Sequence, residues 1–250
     1  MFRQFPLFFG ICLMAALERT TAAIDVTQDP TLIAKLSNAA SQLDRLQYLS
    51  EDSAWVFDYK KQGYFWNTRP GGVVNANVNT FPASFGNEMT MAWINLGPCC
   101  MLTPHFHPRA VNWVTAISGN TTTYMIEENG AHTVKTQLDF GKSTVFPRGS
   151  VHSMVNQACE DAILISALSN PDAGTMNLNQ VFNAGIPTDE LNAAFGFNNF
   201  INDNTKNGIP EIGTGANWGT DECLARCGIN KDDSPPSPSF NGSALNMRRP

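Results

Sequence analysis

Pro104-His105-Phe106-His107-Pro108-Arg109-Ala110, followed by Asn112 and later by Pro147-Arg148-Gly149 and His152, decides how this chain is read. His105 and His107 are two residues apart, so on a β-strand both side chains leave the same face and can share one ion. All four histidines of the chain fall between positions 105 and 152. Neutral imidazole is the commonest nitrogen ligand, and three inward-facing imidazoles leave coordination positions open for water or substrate. An H-x-H pair alone is also what a polar strand face looks like. The arrival of His152 behind a Pro-x-Gly turn makes His105, His107 and His152 the candidate ligands, with Asn112 at the start of the next strand beside them.

Outward from the histidines the texture is β. Between about Trp55 and Leu168, short runs rich in Val, Ile, Thr, Phe and Trp alternate with Gly, Pro and Asn turns. The runs are Val73–Val78, Met89–Leu96, Val111–Ile117, Thr121–Ile126, His132–Leu138, Ser143–Val145 and Ala162–Leu168, and their even spacing predicts a sandwich or barrel. Asn129-Gly130 predicts a tight hairpin with φ > 0 at both central positions. Before the barrel, Leu32, Leu36, Ala39, Leu43 and Leu46 recur at helical spacing and predict one amphipathic helix over Asp29–Leu49. After Asn170-Pro171, Thr188 is placed to cap a helix over Asp189–Phe195, and Thr220 one over Asp221–Cys227 that Gly228 ends. Lys231–Pro250, with Ser234-Pro235-Pro236-Ser237-Pro238, has no apolar pattern and reads as a disordered tail.

Composition narrows the function. The chain has 250 residues, a formal net charge of −6 and 15% charged residues. It contains no Lys/Arg-rich run, which argues against nucleic-acid binding. Arg3, the apolar run Phe5–Leu17 and the small residues Thr21-Ala22-Ala23 read as a secretory signal peptide over residues 1–23, too short to span a bilayer. No other stretch reaches membrane-spanning length, so the expectation is a secreted protein of the extracellular space or cell wall. Of the six cysteines, Cys12 leaves with the leader. The remaining Cys99, Cys100, Cys159, Cys223 and Cys227 are odd in number, so at most two internal disulfides form and one thiol is left over. The sequons at Asn120 and Asn241 are candidate glycosylation sites.

The two histidine segments resemble the paired motifs of germin-like proteins of the cupin family. Pro104–Ala110, Asn112 and Gly119 are similar to the first motif, and Gly141, Pro147, Gly149, His152 and Asn156 to the second. Thr220–Gly228 resembles the Cys-bearing end of the spherulin-like branch. The resemblance implies an all-β fold, a cupin double-stranded β-helix (jelly-roll) barrel with an N-terminal helix and short C-terminal helices. Residues 24–50 would form the amphipathic helical segment, 51–200 the barrel, 201–230 a Cys-bearing helical segment and 231–250 the tail. It also implies one divalent ion inside the barrel, often manganese, held by three histidines and a glutamate.

Three departures from the family pattern matter. The glutamate position is occupied by Asn112, which offers a neutral carbonyl oxygen. Manganese prefers anionic oxygen, whereas an imidazole-rich site also suits Fe, Cu, Zn or Ni. The glycine expected six residues before the first histidine is Cys99, so a differently built entry turn is expected. The two asparagines that orient substrate in oxalate-oxidising germins fall at Leu102 and Ala92, which disfavours oxalate oxidation.

Other residues have plainer readings. His132 is an exposed strand histidine, Arg109 a structural residue, and Asn156 a turn-fixing side chain. Cys223 and Cys227 share a helix face; in a secreted chain, disulfides to Cys99 or Cys100 and to Cys159 are preferred over a zinc site. No catalytic residue is singled out. Two functions compete: an extracellular metal-dependent oxidoreductase, and a non-catalytic wall, spore, encystment or storage protein with a structural or vestigial metal. A homo-oligomer and a small-molecule ligand are compatible with both.

Overall fold

Consecutive strands pass back and forth between two facing antiparallel sheets in the computed structural model, which describes residues 27–62, 69–183, 185–210 and 215–231. Helices α1 (Pro30–Asn38) and α2 (Gln42–Tyr48) come first. Strands β1 (Gly71–Ala76), β2 (Thr90–Leu96), β3 (Cys100–Phe106), β4 (Asn112–Ser118) and β5 (Thr121–Ile126) follow. Then come β6 (Val134–Leu138), β7 (Ser143–Phe146), β8 (Val151–Val155), β9 (Ala162–Leu168) and β10 (Met176–Asn177). The chain ends in α3 (Gln180–Asn183), α4 (Thr188–Phe195), α5 (Asp203–Gly208), β11 (Ala216–Trp218) and α6 (Asp221–Cys227). One sheet has the order β1-β2-β9-β4-β7 and the other β10-β3-β8-β5-β6, with β11 paired to β3. This is the jelly-roll barrel the histidine motifs imply. The leader, the tail beyond residue 231 and the Asn241 sequon lie outside the described residues.

Period-two alternation builds the core. In β9 every second residue, Ala162, Leu164, Ser166 and Leu168, is buried, and in β4 Asn112, Val114 and Ala116 are. Ile94, Leu96, Val114 and Leu164 of one sheet meet Leu102, Leu138 and Met154 of the other. Two polar side chains, Asn112 and Ser166, sit at inward positions and interrupt this apolar face next to the histidines.

The strand carrying His105 is irregular in a useful way. Across β3 and β8, Leu102 pairs with Met154 and His105 with His152, so three steps on β3 match two on β8. Pro104 lies in this bulge and has no N–H to give to the ladder. The extra residue resets the alternation, so that Leu102 and His105 both face inward although their parity differs.

Local differences from the sequence reading have physical causes. The N-terminal helix is two helices, because the Ser41 hydroxyl accepts from the Asp44 N–H and starts a second one; Leu43 and Leu46 of the expected apolar face are consequently exposed. Leu36 of that face is buried as expected and packs with Leu49 against Ala83. Asn129-Gly130 forms a turn closed by the Ala131 N–H on the Glu128 carbonyl, but only Gly130 has a positive φ, and the turn sits in a longer loop between β5 and β6. Pro187, not Thr188, holds the N-cap position of α4. Thr220 does cap α6, and Gly228 ends it at φ 63°. The Cys-bearing segment is not purely helical, since β11 extends a sheet edge. Strands β3 and β8 lie outside the seven predicted runs.

Candidate metal centre

Each candidate ligand is delivered by a different constraint. His105 is turned inward by the bulge in β3, His152 faces it across the same rung, and His107 lies just past the end of β3. His105, His107 and His152 are 5%, 9% and 2% exposed. Their rings cluster, with centroids 4.3 Å apart for His105 and His152 and 5.3 Å from each to His107. Phe146 stacks on His152 at 4.1 Å and 7° and walls the site from below.

The tautomers are fixed by backbone carbonyls, which can only accept. His105 Nδ1 donates to the Thr103 carbonyl at 2.7 Å, His107 Nδ1 to Gly174 at 2.6 Å, and His152 Nδ1 to Ser150 at 3.0 Å. A neutral imidazole that donates through Nδ1 carries its lone pair on Nε2. The three rings each offer one such nitrogen, all within 4.8 Å of one another. Outer carbonyls of this kind orient metal-bound histidines and raise their basicity. No Asp or Glu joins the group among the described residues.

Burial keeps these rings neutral. It lowers the pKa of His105 to about 4, with the neighbouring His107 adding to the effect. It lowers His152 to about 2, His105 contributing second, and lowers His107 as well. Neutral imidazole is the form that binds metal, so His105 and His152 stay in that form in mild acid and His107 is shifted the same way.

Asn112 completes the floor. Its Nδ2 lies 3.4 Å from His107 Nε2 and 3.5 Å from His152 Nε2, while its Oδ1 accepts from the Ser166 hydroxyl. This orientation follows from the tautomers: the Nε2 lone pairs of His107 and His152 want a donor, and the amide nitrogen faces both. The residues therefore fit a divalent ion at three nitrogen positions. Asn112 can add an oxygen only if its amide turns over, with Ser166 then accepting instead of donating.

Beside His107 a cavity of about 320 Å³ opens, lined by Asn75, Thr90, Arg109, Asp172 and Thr175 among others. Arg109 donates to the Asp172 carbonyl and pairs with its carboxylate at 3.0 Å. It thus pins the loop that presents the Gly174 carbonyl to His107, which is the structural role read from the sequence.

The remaining candidates are placed as follows. Cys99 bonds Cys223 and Cys159 bonds Cys227, while Cys100 is free and buried. Cys100 is therefore the leftover thiol and not a disulfide partner. Cys99 has φ 54°, the left-handed region that favours glycine. Asn120 and His132 are exposed. Asn156 is fully buried and donates to the carbonyls of Leu96, Gly97 and Glu160 while accepting from the Ala158 N–H. Ser166, Phe146 and Gly174 belong to the site without having been singled out from the sequence. For Ser166 the inward position in the alternating run Ala162–Leu168 is a usable signal; for Gly174, remote in the chain, there is none.

Comparison with known proteins agrees with this picture. The cupin family profile matches residues 59–202. Spherulin-1A of Physarum polycephalum is 32% identical over 204 residues, covering 80% of each chain. Germin-like protein 1-1 of Oryza sativa subsp. japonica is 29% identical over 150 residues, 59% of this chain and 69% of that one. Among solved structures, a recombinant oxalate oxidase in complex with glycolate superposes with a TM-score of 0.59 at 19% identity, covering 64% of this chain and 83% of the other.

Proposed function

The chain belongs to the cupin family, on its germin-like and spherulin-like side, and from that premise we propose that it is an exported metal-binding oxidoreductase acting on a small molecule such as superoxide. The observation that carries the reading is the convergence of three Nε2 lone pairs, each fixed by a backbone carbonyl on the far side of its ring. A redox-active divalent ion held there, manganese, iron or copper, would supply one-electron chemistry. The protein's own residues present neutral ligands, exclude bulk water through Phe146 and the barrel wall, and leave His107 beside the cavity as the point of approach.

Several features support a small neutral or singly charged substrate over oxalate. Leu102 and Ala92 are buried in apolar clusters. Arg109, the Lys or Arg that lines the cavity among the described residues, is already paired with Asp172. Two disulfides support an oxidising compartment. The exposed Asn120 sequon suits export as well.

One observation favours a second, non-catalytic reading. The amide nitrogen of Asn112 faces the lone pairs of His107 and His152 without an ion, as a purely structural network would. Elemental analysis of untagged secreted protein, followed by superoxide dismutation assays before and after chelation, separates the two. One redox-active ion per chain with activity lost on chelation supports the enzyme. A bound ion that raises the melting temperature without activity supports the structural protein. Failure of the chelated protein to take up any divalent ion overturns the enzyme and leaves the ion-free structural protein.

A further inference from the structure

The two disulfides of this chain lie against each other. Cys99 is bonded to Cys223 and Cys159 to Cys227, yet the Sγ atoms of Cys99 and Cys227 are only 3.5 Å apart. At that separation two non-bonded sulfurs are in contact. The sulfurs of Cys99, Cys223 and Cys227 all fall within 4.8 Å of one another. The bonds differ in access: Cys159 is exposed and Cys227 half-buried, whereas Cys99 and Cys223 are 1% and 4% exposed.

We propose that these four cysteines form a thiol–disulfide exchange site, entered by a small-molecule thiol at Cys159, in which Cys227 takes Cys99 from Cys223. The incoming thiolate attacks Cys159 Sγ, breaks the Cys159–Cys227 bond and releases Cys227 as a thiolate, leaving a mixed disulfide on Cys159. Released from Cys159, the Cys227 side chain turns onto the line of the Cys223–Cys99 bond, and its thiolate then attacks Cys99 Sγ. A Cys99–Cys227 bond forms, the Cys99–Cys223 bond breaks, and Cys223 leaves as a thiolate. A second small-molecule thiol clears the mixed disulfide. In total two external thiols are oxidised to one disulfide, and the protein gains thiols at Cys159 and Cys223.

The leaving group is provided for. Arg226 Nη2 lies 3.3 Å from Cys223 Sγ and donates to the Gln157 carbonyl, which anchors the guanidinium beside the sulfur. A cation there stabilises the departing thiolate, and a better leaving thiolate speeds exchange. Cys100 takes no part. It is fully buried, and burial pushes its thiol up to about 12, so it stays protonated. In both pairings α6 remains tied to the turn that opens β3, the strand bearing His105, while the segment around Cys159 is freed.

The test uses the full secreted protein. A limiting phosphine at about pH 3, where thiolates are scarce, followed by immediate alkylation should leave Cys99–Cys223 intact with Cys159 and Cys227 alkylated. The same partly reduced protein held at about pH 8 before alkylation should yield a Cys99–Cys227 cross-linked peptide with Cys159 and Cys223 alkylated. Arg226→Ala should lower the share of that peptide about two- to fivefold, the size expected of one partly exposed charge contact. Cys227→Ser should abolish it, and should it fail to be secreted the wild-type comparison stands alone. Persistence of Cys99–Cys223 as the sole cross-link at the higher pH, or reduction of Cys99–Cys223 before Cys159–Cys227, overturns the proposal.

Discussion

His105 and His152 stand opposite each other on one rung of the β3–β8 ladder, their ring centroids 4.3 Å apart. Each anchors its Nδ1 to the backbone carbonyl two residues earlier, Thr103 and Ser150. Ladder register and local backbone together aim both lone pairs at one point. Replacing either histidine by alanine should reduce divalent-metal affinity by more than the roughly 10–100-fold that outer-shell partners contribute. Calorimetric titration of zinc or manganese into chelated protein measures this. Affinities within a fewfold of wild type for His152→Ala would remove it from the ligand set.

The metal-free protein should lose stability in acid through these rings. An unfolded histidine titrates near 6.5, whereas burial holds His105 near 4 and His152 near 2. Below about pH 6.5 the unfolded chain binds protons that the folded chain refuses, so the stability present above that pH is lost as pH falls toward 4 and, for His152, toward 2. Thermal melts of chelated protein across that window should show the fall, and His105→Gln, which has no proton to gain, should flatten part of it. Equal slopes in the two proteins would contradict the assignment.

Much of this was legible because β-structure has a period of two. The H-x-H spacing puts His105 and His107 on one face, and Pro147, Gly149 and His152 mark the second arm. What was hidden depended on contacts distant in sequence or on competing local bonds. The Gly174 carbonyl that orients His107 comes from a loop sixty-odd residues on, with nothing in its own sequence to announce it. The inward position of Ser166 can be read from the alternation of β9, but its partner Asn112 on the neighbouring strand cannot. The helix break at Ser41 is a case of side-chain capping overriding apolar periodicity, since the Ser41 and Asp44 side chains also bond each other. The bulge at Pro104 even rescues the reading, because strict alternation from Leu102 would have turned His105 outward.

Gly174 makes the loop contribution testable. It has φ 67°, and a Cβ there would stand 2.7 Å from Arg109 Nη2 and 3.1 Å from Pro108 Cγ. Gly174→Ala should therefore cost about 1–3 kcal/mol of stability and weaken metal binding through His107. Arg109→Ala relieves the closer clash, so the double variant should recover part of the loss if sterics dominate and none if the backbone angle does. Melting temperatures of the three variants decide between these causes, and an unaffected metal affinity in all three would deny Gly174 its role behind His107.

Asn112 is where the charge of the site is set, and its substitution tests the metal assignment most directly. The amide now donates toward His107 and His152 and accepts from Ser166, with 2% of the side chain's residue exposed. Asn112→Glu places an anionic oxygen among three neutral imidazoles, the donor set that hard manganese prefers, and should raise manganese occupancy. Any dismutating activity that depends on manganese should rise with it. Asn112→Ala should change occupancy little, because the three histidines do the holding. A buried carboxylate without a counter-ion is costly, so chelated Asn112→Glu should melt below wild type and recover when manganese is added. That recovery is the distinguishing signature, since a residue that merely caps β4 would show the loss alone. If Asn112→Glu loses stability, gains no manganese and is not rescued by it, position 112 lies outside the metal site and manganese loses its place as the working ion.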